Sequence, residues 1–289
     1  MTEASKQDLT LGEMLMASSQ WLEKRGVEEA QIKPEWVASH LLGVDRTSLP
    51  RHLRPGGEFA DRLRSLVVRL GTGEPVQYVI GNWDFRFLRL NTDKRALIPR
   101  PETEQLVDLV LEERRLWLAG APVICDVGTG TGAIALSIAS ERPRSRVIAV
   151  DCEEAALSLA RENARLNCLE GRVDFRLGRN CHGAKPCSLD AVVSNPPYIS
   201  TSGCEALSPS IRDFEPRSAL DGGYDGLGVY RGLVPDAAIA LKKGGFLFLE
   251  MGEEQGEALR RILEDSGFSD ISVLRDLGGK DRFVKGRMV

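Results

Sequence analysis

The sequence predicts an α/β protein: a mostly parallel, doubly wound sheet, a small helical domain before it, and a β-hairpin linking the two. Three observations carry this. From residue 121 onward, short apolar runs alternate with amphipathic helical stretches, the pattern of repeated strand–helix units. The first of these runs ends in the glycine-dense turn Gly128-Thr129-Gly130-Thr131-Gly132, and the second ends in an acid, Asp151. Residues 1–74 show helical apolar spacing and no strand pattern.

In chain order, Thr10 and Glu13 have capping-box spacing, and Leu11, Met14, Leu15, Trp21 and Leu22 then share one helical face up to Gly26. Pro34 suits the first turn of a second helix that holds Trp36, Val37, His40 and Leu41 and stops at Gly43. A third runs from about Glu58 to Leu70, with Phe59, Leu63, Leu66, Val67 and Leu70 apolar. Core packing of a small bundle accounts for these stripes. Residues 75–98 read as the linking β-hairpin, because Trp83, Phe85 and Phe87 alternate before Leu88 and Leu90.

Residues 99–289 form the second domain. Strands are expected at 122–127, 146–151, 172–177, 189–194 and 245–251, with two more closing the chain. Helices are expected at 133–140, 153–167, 226–243 and 253–267, the third kinked or restarted at Pro235.

Composition bounds the function. The chain has 289 residues, 42% hydrophobic and 28% charged, with a net charge of −4. The pI of about 5.6 argues against broad binding to nucleic acid, which needs a large excess of Lys and Arg. No apolar run approaches the ~18 residues of a membrane span, and the polar start MTEASKQDLT shows no signal peptide. The expected compartment is the reducing cytoplasm. Cys181, His182 and Cys187 match no zinc spacing, so no metal is expected.

The glycine turn lets the backbone approach a ligand at a helix N-terminus. Asp151, 19 residues after Gly132, stands where an acid accepts hydrogen bonds from the ribose hydroxyls of an adenosine cofactor. Gly128, Gly130 and Ala133 also fit the dinucleotide pattern, so two cofactor classes remain: a nicotinamide or flavin dinucleotide, and S-adenosylmethionine.

Ser194-Asn195-Pro196-Pro197-Tyr198 ends the fourth expected strand. Ligands of open α/β sheets bind beyond the carboxyl ends of the strands. There the Asn195 side-chain oxygen and the Pro196 carbonyl can both accept from one ligand –NH₂ group, fixing its plane. Pro197 stiffens the turn with Pro196, and Tyr198 offers an aromatic face to a planar amide or base. Such a pocket suits methyl transfer to a conjugated nitrogen and has no use in hydride transfer or in a domain that only senses the cofactor.

These motifs resemble those of class I, Rossmann-like amino-methyltransferases that modify planar nitrogens, on adenine, guanine or glutamine. Further stretches, GEPVQYVIGNWDF (73–85), LIPRPETEQLVD (97–108), DFEPRSALDGGYDGL (213–227) and GGFLFLEMG (244–252), resemble the release factor glutamine methyltransferase family. The resemblance runs from about residue 10 to the C-terminus. It implies transfer of a methyl group from S-adenosyl-L-methionine to the glutamine amide of the Gly-Gly-Gln motif of peptide chain release factors. It also implies that residues 1–74 dock that protein. Gly128, Thr129, Gly130, Thr131, Gly132, Asp151 and Asn195 would hold the cofactor. Asn195, Pro196, Pro197 and Tyr198 would hold the glutamine amide, with Arg100, Pro101 and Glu102 at the pocket entrance. After the third strand the family usually carries Asp and an aromatic; this chain has Gly178-Arg179-Asn180, which leaves the adenine to Asn180 or to apolar neighbours. A monomer without stable nucleic-acid binding is expected. The alternative is a methyltransferase acting on exocyclic amines of nucleic acid, with a flipped base in the same pocket.

Overall fold

A computed structural model describes residues 9–118 and 120–289. The polar segment at residues 1–8, read above for a leader sequence, lies outside the described residues. The chain forms two compact units, Met1–Asn82 with Ser208–Phe214, and Trp83–Leu207 with Glu215–Val289.

The first unit is helical: α1 (Leu11–Glu23), α2 (Lys33–Leu42), α3 (Gly56–Leu70) and α4 (Val76–Ile80). The Thr10–Glu13 capping box is formed, each residue satisfying an otherwise unpaired amide of the other. Pro34 lies in the first turn of α2, and Gly43 ends that helix in the left-handed conformation. Leu11, Leu15, Leu22, Val37, Leu63, Val67 and Leu70 are buried, and burying each contributes roughly 1.5–3 kcal/mol.

Residues 75–98 depart from the expected hairpin. Residues 76–80 form α4, and Val76, Tyr78 and Val79 are buried within the helical unit. The Arg69 guanidinium, at the end of α3, donates to the Tyr78 and Val79 carbonyls at 3.1 and 3.2 Å and so ties α4 down. Tertiary burial of this short apolar stretch overrides its strand-like pattern. The hairpin itself is only β1 (Asn82–Phe85) and β2 (Leu88–Asn91), and Phe87 sits in its turn, 81% exposed.

In the second unit follow α5 (Pro101–Glu112), α6 (Arg114–Trp117), β3 (Val123–Val127), α7 (Ala133–Glu141), β4 (Arg146–Asp151), α8 (Glu154–Leu166), β5 (Val173–Leu177), β6 (Leu189–Ser194) and α9 (Thr201–Glu205). The short α10 (Pro209–Arg212) belongs to the first unit. Then come α11 (Gly228–Ala240), β7 (Leu241–Glu250), α12 (Gly256–Asp265), β8 (Phe268–Arg275) and β9 (Asp281–Met288).

The strands form one seven-stranded sheet in the order β5-β4-β3-β6-β7-β9-β8. The five strands from β5 to β7 are parallel, and β9 pairs antiparallel with both β7 and β8. Side chains alternate between two cores, as the two-residue strand period requires. Ile124, Phe246 and Phe248 join the cluster that includes Leu106, Val110 and Ile138; Cys125, Leu247 and Leu249 join that of Tyr230, Leu233 and Leu259. The chain order reverses between β3 and β6, and this switch point opens a crevice at their carboxyl ends.

Two further boundaries differ from expectation. α11 continues through Pro235 without a restart and ends at Ala240. β7 begins at Leu241, so the lysines assigned to the helix end belong to a strand: Leu241 pairs with Leu189 across a bulge, and Lys242 Nζ binds both oxygens of Asp190 at 2.8 Å.

Candidate active site

A cavity of about 580 Å³ lies at the switch point, within the range of small-ligand sites. Its wall includes Gly128–Thr131, Asp151, Asn180 and Asn195–Pro197 from the predicted set. Arg100 also lines it, as do Arg95, Ala96, Leu97, Thr103, Ala156, Arg179, Val229 and others that sequence reasoning did not single out.

The glycine turn is built by its neighbours. The Gly128 and Thr129 amides donate to the Val150 carbonyl at 2.9 and 3.1 Å, and Gly130 N donates to Asp151 Oδ2 at 2.9 Å. Gly132 has φ 84°, and a Cβ there would stand 3.0 Å from Leu136 Cδ1 and 3.2 Å from the Ala160 methyl. Only glycine both adopts that conformation without strain and lets α7 approach α8. Fully buried Asn163 of α8 donates to the Thr131 carbonyl at 2.9 Å and accepts from Asn91 N at 2.7 Å, joining loop, helix and hairpin.

Asp151 is buried, and its second oxygen accepts from Glu153 N at 3.0 Å. Burial raises its pKa, while the two amide bonds oppose that rise. Asp126, in β3, is wholly buried; it accepts from Thr129 Oγ1 at 2.6 Å and Ala135 N at 3.1 Å, while its other oxygen has no partner among the described residues. Its pKa is pushed up to about 7 by burial.

The Asn195–Tyr198 turn is clamped from three sides. Ser194 Oγ donates to the Val127 carbonyl at 2.6 Å, pinning the end of β6 to that of β3. Gln255 Nε2 donates to the Tyr198 carbonyl at 2.9 Å and to that of Gly226 at 3.2 Å. A Cβ on Gly226, at φ 73°, would fall 2.3 Å from the Tyr198 carbonyl oxygen, so the loop that follows presses against the turn. Inside, Asn195 Nδ2 donates to Thr103 Oγ1 at 3.0 Å, and Thr103 Oγ1 donates to Glu250 Oε2 at 2.8 Å. Glu250 is 2% exposed and its pKa is pushed up to about 7, chiefly by burial.

Four predicted residues are not part of the cavity wall: Gly132, Pro101, Glu102 and Tyr198. Glu102 is turned away: it and Thr103 are consecutive on α5, and about 100° of helical rotation gives the inner place to Thr103. Tyr198 is half-buried behind the wall, its hydroxyl 3.4 Å from Glu250 Oε1, where burial pushes its pKa up to about 12. Pro101 is exposed at the first turn of α5. Arg100 does reach the cavity, and it pairs with the buried Glu215 carboxylate, whose other oxygen accepts from Ile98 N at 3.1 Å. Asn180 lines the cavity with φ 50°, its Nδ2 donating to Asp236 Oδ2 at 2.6 Å. Cys181 is buried in the apolar core and Cys187 is exposed, so the two do not share one environment.

The raised carboxyl pKa values carry a stability prediction. Glu250 and Asp126 hold protons more tightly folded than unfolded, with ordinary values of 4.5 and 3.8. Their contribution is therefore full below those values and lost as pH rises to about 7. For Glu250 alone the loss is up to about 3 kcal/mol at 1.36 kcal/mol per unit. Denaturant unfolding of the wild type and of Glu250→Gln from pH 4 to 8 checks it. The variant should lose part of this slope, and an identical slope in both proteins counts against the assignment.

The donor set fits an adenosine-bearing cofactor: a carboxylate at the end of β4, close backbone from the glycine turn, and apolar Ala96, Leu97, Ala156 and Val229 around them.

The chain is similar to known proteins over most of its length. Residues 13–81 match the family model "PrmC N-terminal domain", and residues 108–207 match "Methyltransferase small domain". A release factor glutamine methyltransferase of Geobacter sulfurreducens is 38% identical over 96% of this chain and 97% of its own. The human MTRF1L release factor glutamine methyltransferase is 38% identical over 91% of this chain and 82% of its own. Among solved structures, the hMettl16 catalytic domain, crystallised with a MAT2A 3'UTR hairpin, has a TM-score of 0.56 at 14% identity, over 80% of this chain and 81% of its own. A methyltransferase from Pyrococcus furiosus has a TM-score of 0.52 at 18% identity, over 70% of this chain and 89% of its own. These two likenesses show the fold.

Proposed function

The chain belongs to the release factor glutamine methyltransferase family, and from that premise we propose that it methylates the side-chain amide of the Gly-Gly-Gln glutamine of peptide chain release factors. The observation that carries this reading is the fixed Asn195 side chain on the wall of the cavity that also holds the glycine turn and Asp151.

S-adenosyl-L-methionine, when bound, supplies a methyl group on a sulfonium. Asp151, the backbone of Gly128–Gly132 and Asn180 are the residues we assign to hold it. Asn195 Oδ1 and the Pro196 carbonyl accept the two N–H groups of the glutamine amide. That nitrogen is a poor nucleophile because its lone pair is delocalised, so orientation is the chain's main contribution. Formation of the N–C bond would be matched by loss of the S–CH₃ bond and departure of a neutral thioether, and the nitrogen's proton, acidic only then, would pass to water, so no side chain has to remove it beforehand. Tyr198 acts from behind the wall, bracing Glu250 and the turn, and Arg100 lines the entrance.

Residues 1–74 are assigned to docking the release factor, residues 75–98 to linking, and residues 99–289 to catalysis. We read the enzyme as a cytoplasmic monomer that forms no stable complex with nucleic acid. Among the described residues no helix is long and apolar enough to cross a membrane.

The test is mass spectrometry of a purified release factor after incubation with the enzyme and S-adenosylmethionine. One added methyl on the Gly-Gly-Gln glutamine is expected. An unmodified glutamine, with cofactor binding intact, would overturn the substrate assignment and turn the search to nucleic acid.

A further inference from the structure

This inference rests on the reading of Asn195 as the residue whose oxygen accepts from the substrate amide. An asparagine side chain is an acceptor at one end and a donor at the other, and a half-turn exchanges them. A reversed Asn195 would present N–H to the N–H of the substrate and repel it. Something must therefore set its sense, and the sequence motif alone does not.

The buried contacts behind the turn do. In its ionised form, populated as pH rises through about 7, the Glu250 carboxylate only accepts hydrogen bonds. Thr103 has one hydroxyl proton, and it goes to Glu250 Oε2 at 2.8 Å. What Thr103 Oγ1 keeps for Asn195 is a lone pair, so Asn195 must offer Nδ2, as it does at 3.0 Å. The amide atom left for a ligand is Oδ1. Glu250 is itself fixed: the Tyr198 hydroxyl lies 3.4 Å from Oε1, and the Tyr230 hydroxyl donates to the Glu250 main-chain carbonyl at 2.7 Å. Glu102 from α5 and Arg282 from β9 act on its charge in opposite senses, the first disfavouring and the second favouring the ionised form.

We propose that Thr103 and Glu250 form a polarity relay that locks the Asn195 amide with its oxygen toward the substrate nitrogen. Both are positioning residues acting through Asn195. A buried carboxylate is a poor stabiliser compared with an apolar side chain of its size. Its place behind the turn is explained by orientation.

Three variants test this: Thr103→Val, Thr103→Ser and Glu250→Gln, each assayed with a purified release factor and S-adenosylmethionine. Thr103→Val keeps the shape and loses the hydroxyl. Glu250→Gln lets an amide N–H face Thr103, whose proton then turns toward Asn195 and reverses the relay. Both should lower kcat by about 10²-fold, the scale of a misplaced reacting group, with cofactor affinity little changed. Thr103→Ser should recover most of the loss. Wild-type kcat in both Thr103→Val and Glu250→Gln overturns the relay. So does a loss that follows melting temperature or cofactor affinity and is shared by Thr103→Ser.

A second readout needs no substrate. Exchange of the Asn195 side-chain amide protons, followed by NMR on the free enzyme, should be slow in wild type and Thr103→Ser and fast in Thr103→Val. Fast exchange in wild type overturns the relay. If the wild type fails to methylate a release factor while this pattern holds, the substrate assignment falls and the relay stands.

Discussion

Asn195→Ala should lose methyl transfer by about 10²-fold or more in kcat, with only a small change in cofactor affinity. The side chain holds nothing in the core: it lies half-buried on the cavity wall, where its Nδ2 donates to Thr103. Truncation leaves a lone pair of Thr103 unmatched, which costs about 1–3 kcal/mol at most because water can enter from the cavity. The larger loss falls on the substrate nitrogen, which no longer meets an acceptor that fixes its plane. Single-turnover rates at saturating cofactor, together with calorimetric binding of S-adenosylmethionine, separate the two effects. Wild-type turnover by the variant would remove Asn195 from its role.

Asp151→Ala should have the opposite signature. Its two oxygens hold the Gly130 and Glu153 amides, and their remaining lone pairs are what a ribose would meet. Bonds to a buried charged group are each worth about 1.5–3 kcal/mol, so the cofactor Kd should rise by about 10- to 100-fold. Once cofactor saturates the variant, kcat should recover to within roughly threefold of wild type. Isothermal titration and kinetics at high cofactor concentration check this. An unchanged Kd would mean that the cofactor does not rest on β4.

Much of the fold is legible because buried parallel strands are near-continuous apolar runs with sharp ends. Val147–Val150 and Ala191–Val193 carry no competing helical period, and they appear as β4 and β6 where expected. Residues 76–80 are illegible for the converse reason. A five-residue stretch that is apolar but for Gln77 satisfies a strand and a helical turn equally, and only the burial of Tyr78 and Val79 decides between them. β7 begins early for a similar cause. Lys242, Lys243, Gly244 and Gly245 look like a helix end and a turn, yet Asp190 draws Lys242 into the sheet. The site divides the same way. The glycine turn, Asp151 and Asn195 each have a local signature tied to a strand end. Glu250 also ends a strand, but nothing local pairs it with Thr103, and Glu102 beside Thr103 is the more conspicuous residue in sequence.

What the sequence by itself determined is the alternation of strands and helices, the strand ends at which ligands bind, and the residues there whose chemistry suits a planar nitrogen. Those follow from spacing, which is a property of the chain alone. The tertiary structure decided which way Asn195 faces. That depends on residues 103, 195 and 250 meeting in one buried place, where each hydrogen-bonding group must find a partner and a single carboxylate sets the direction of the series.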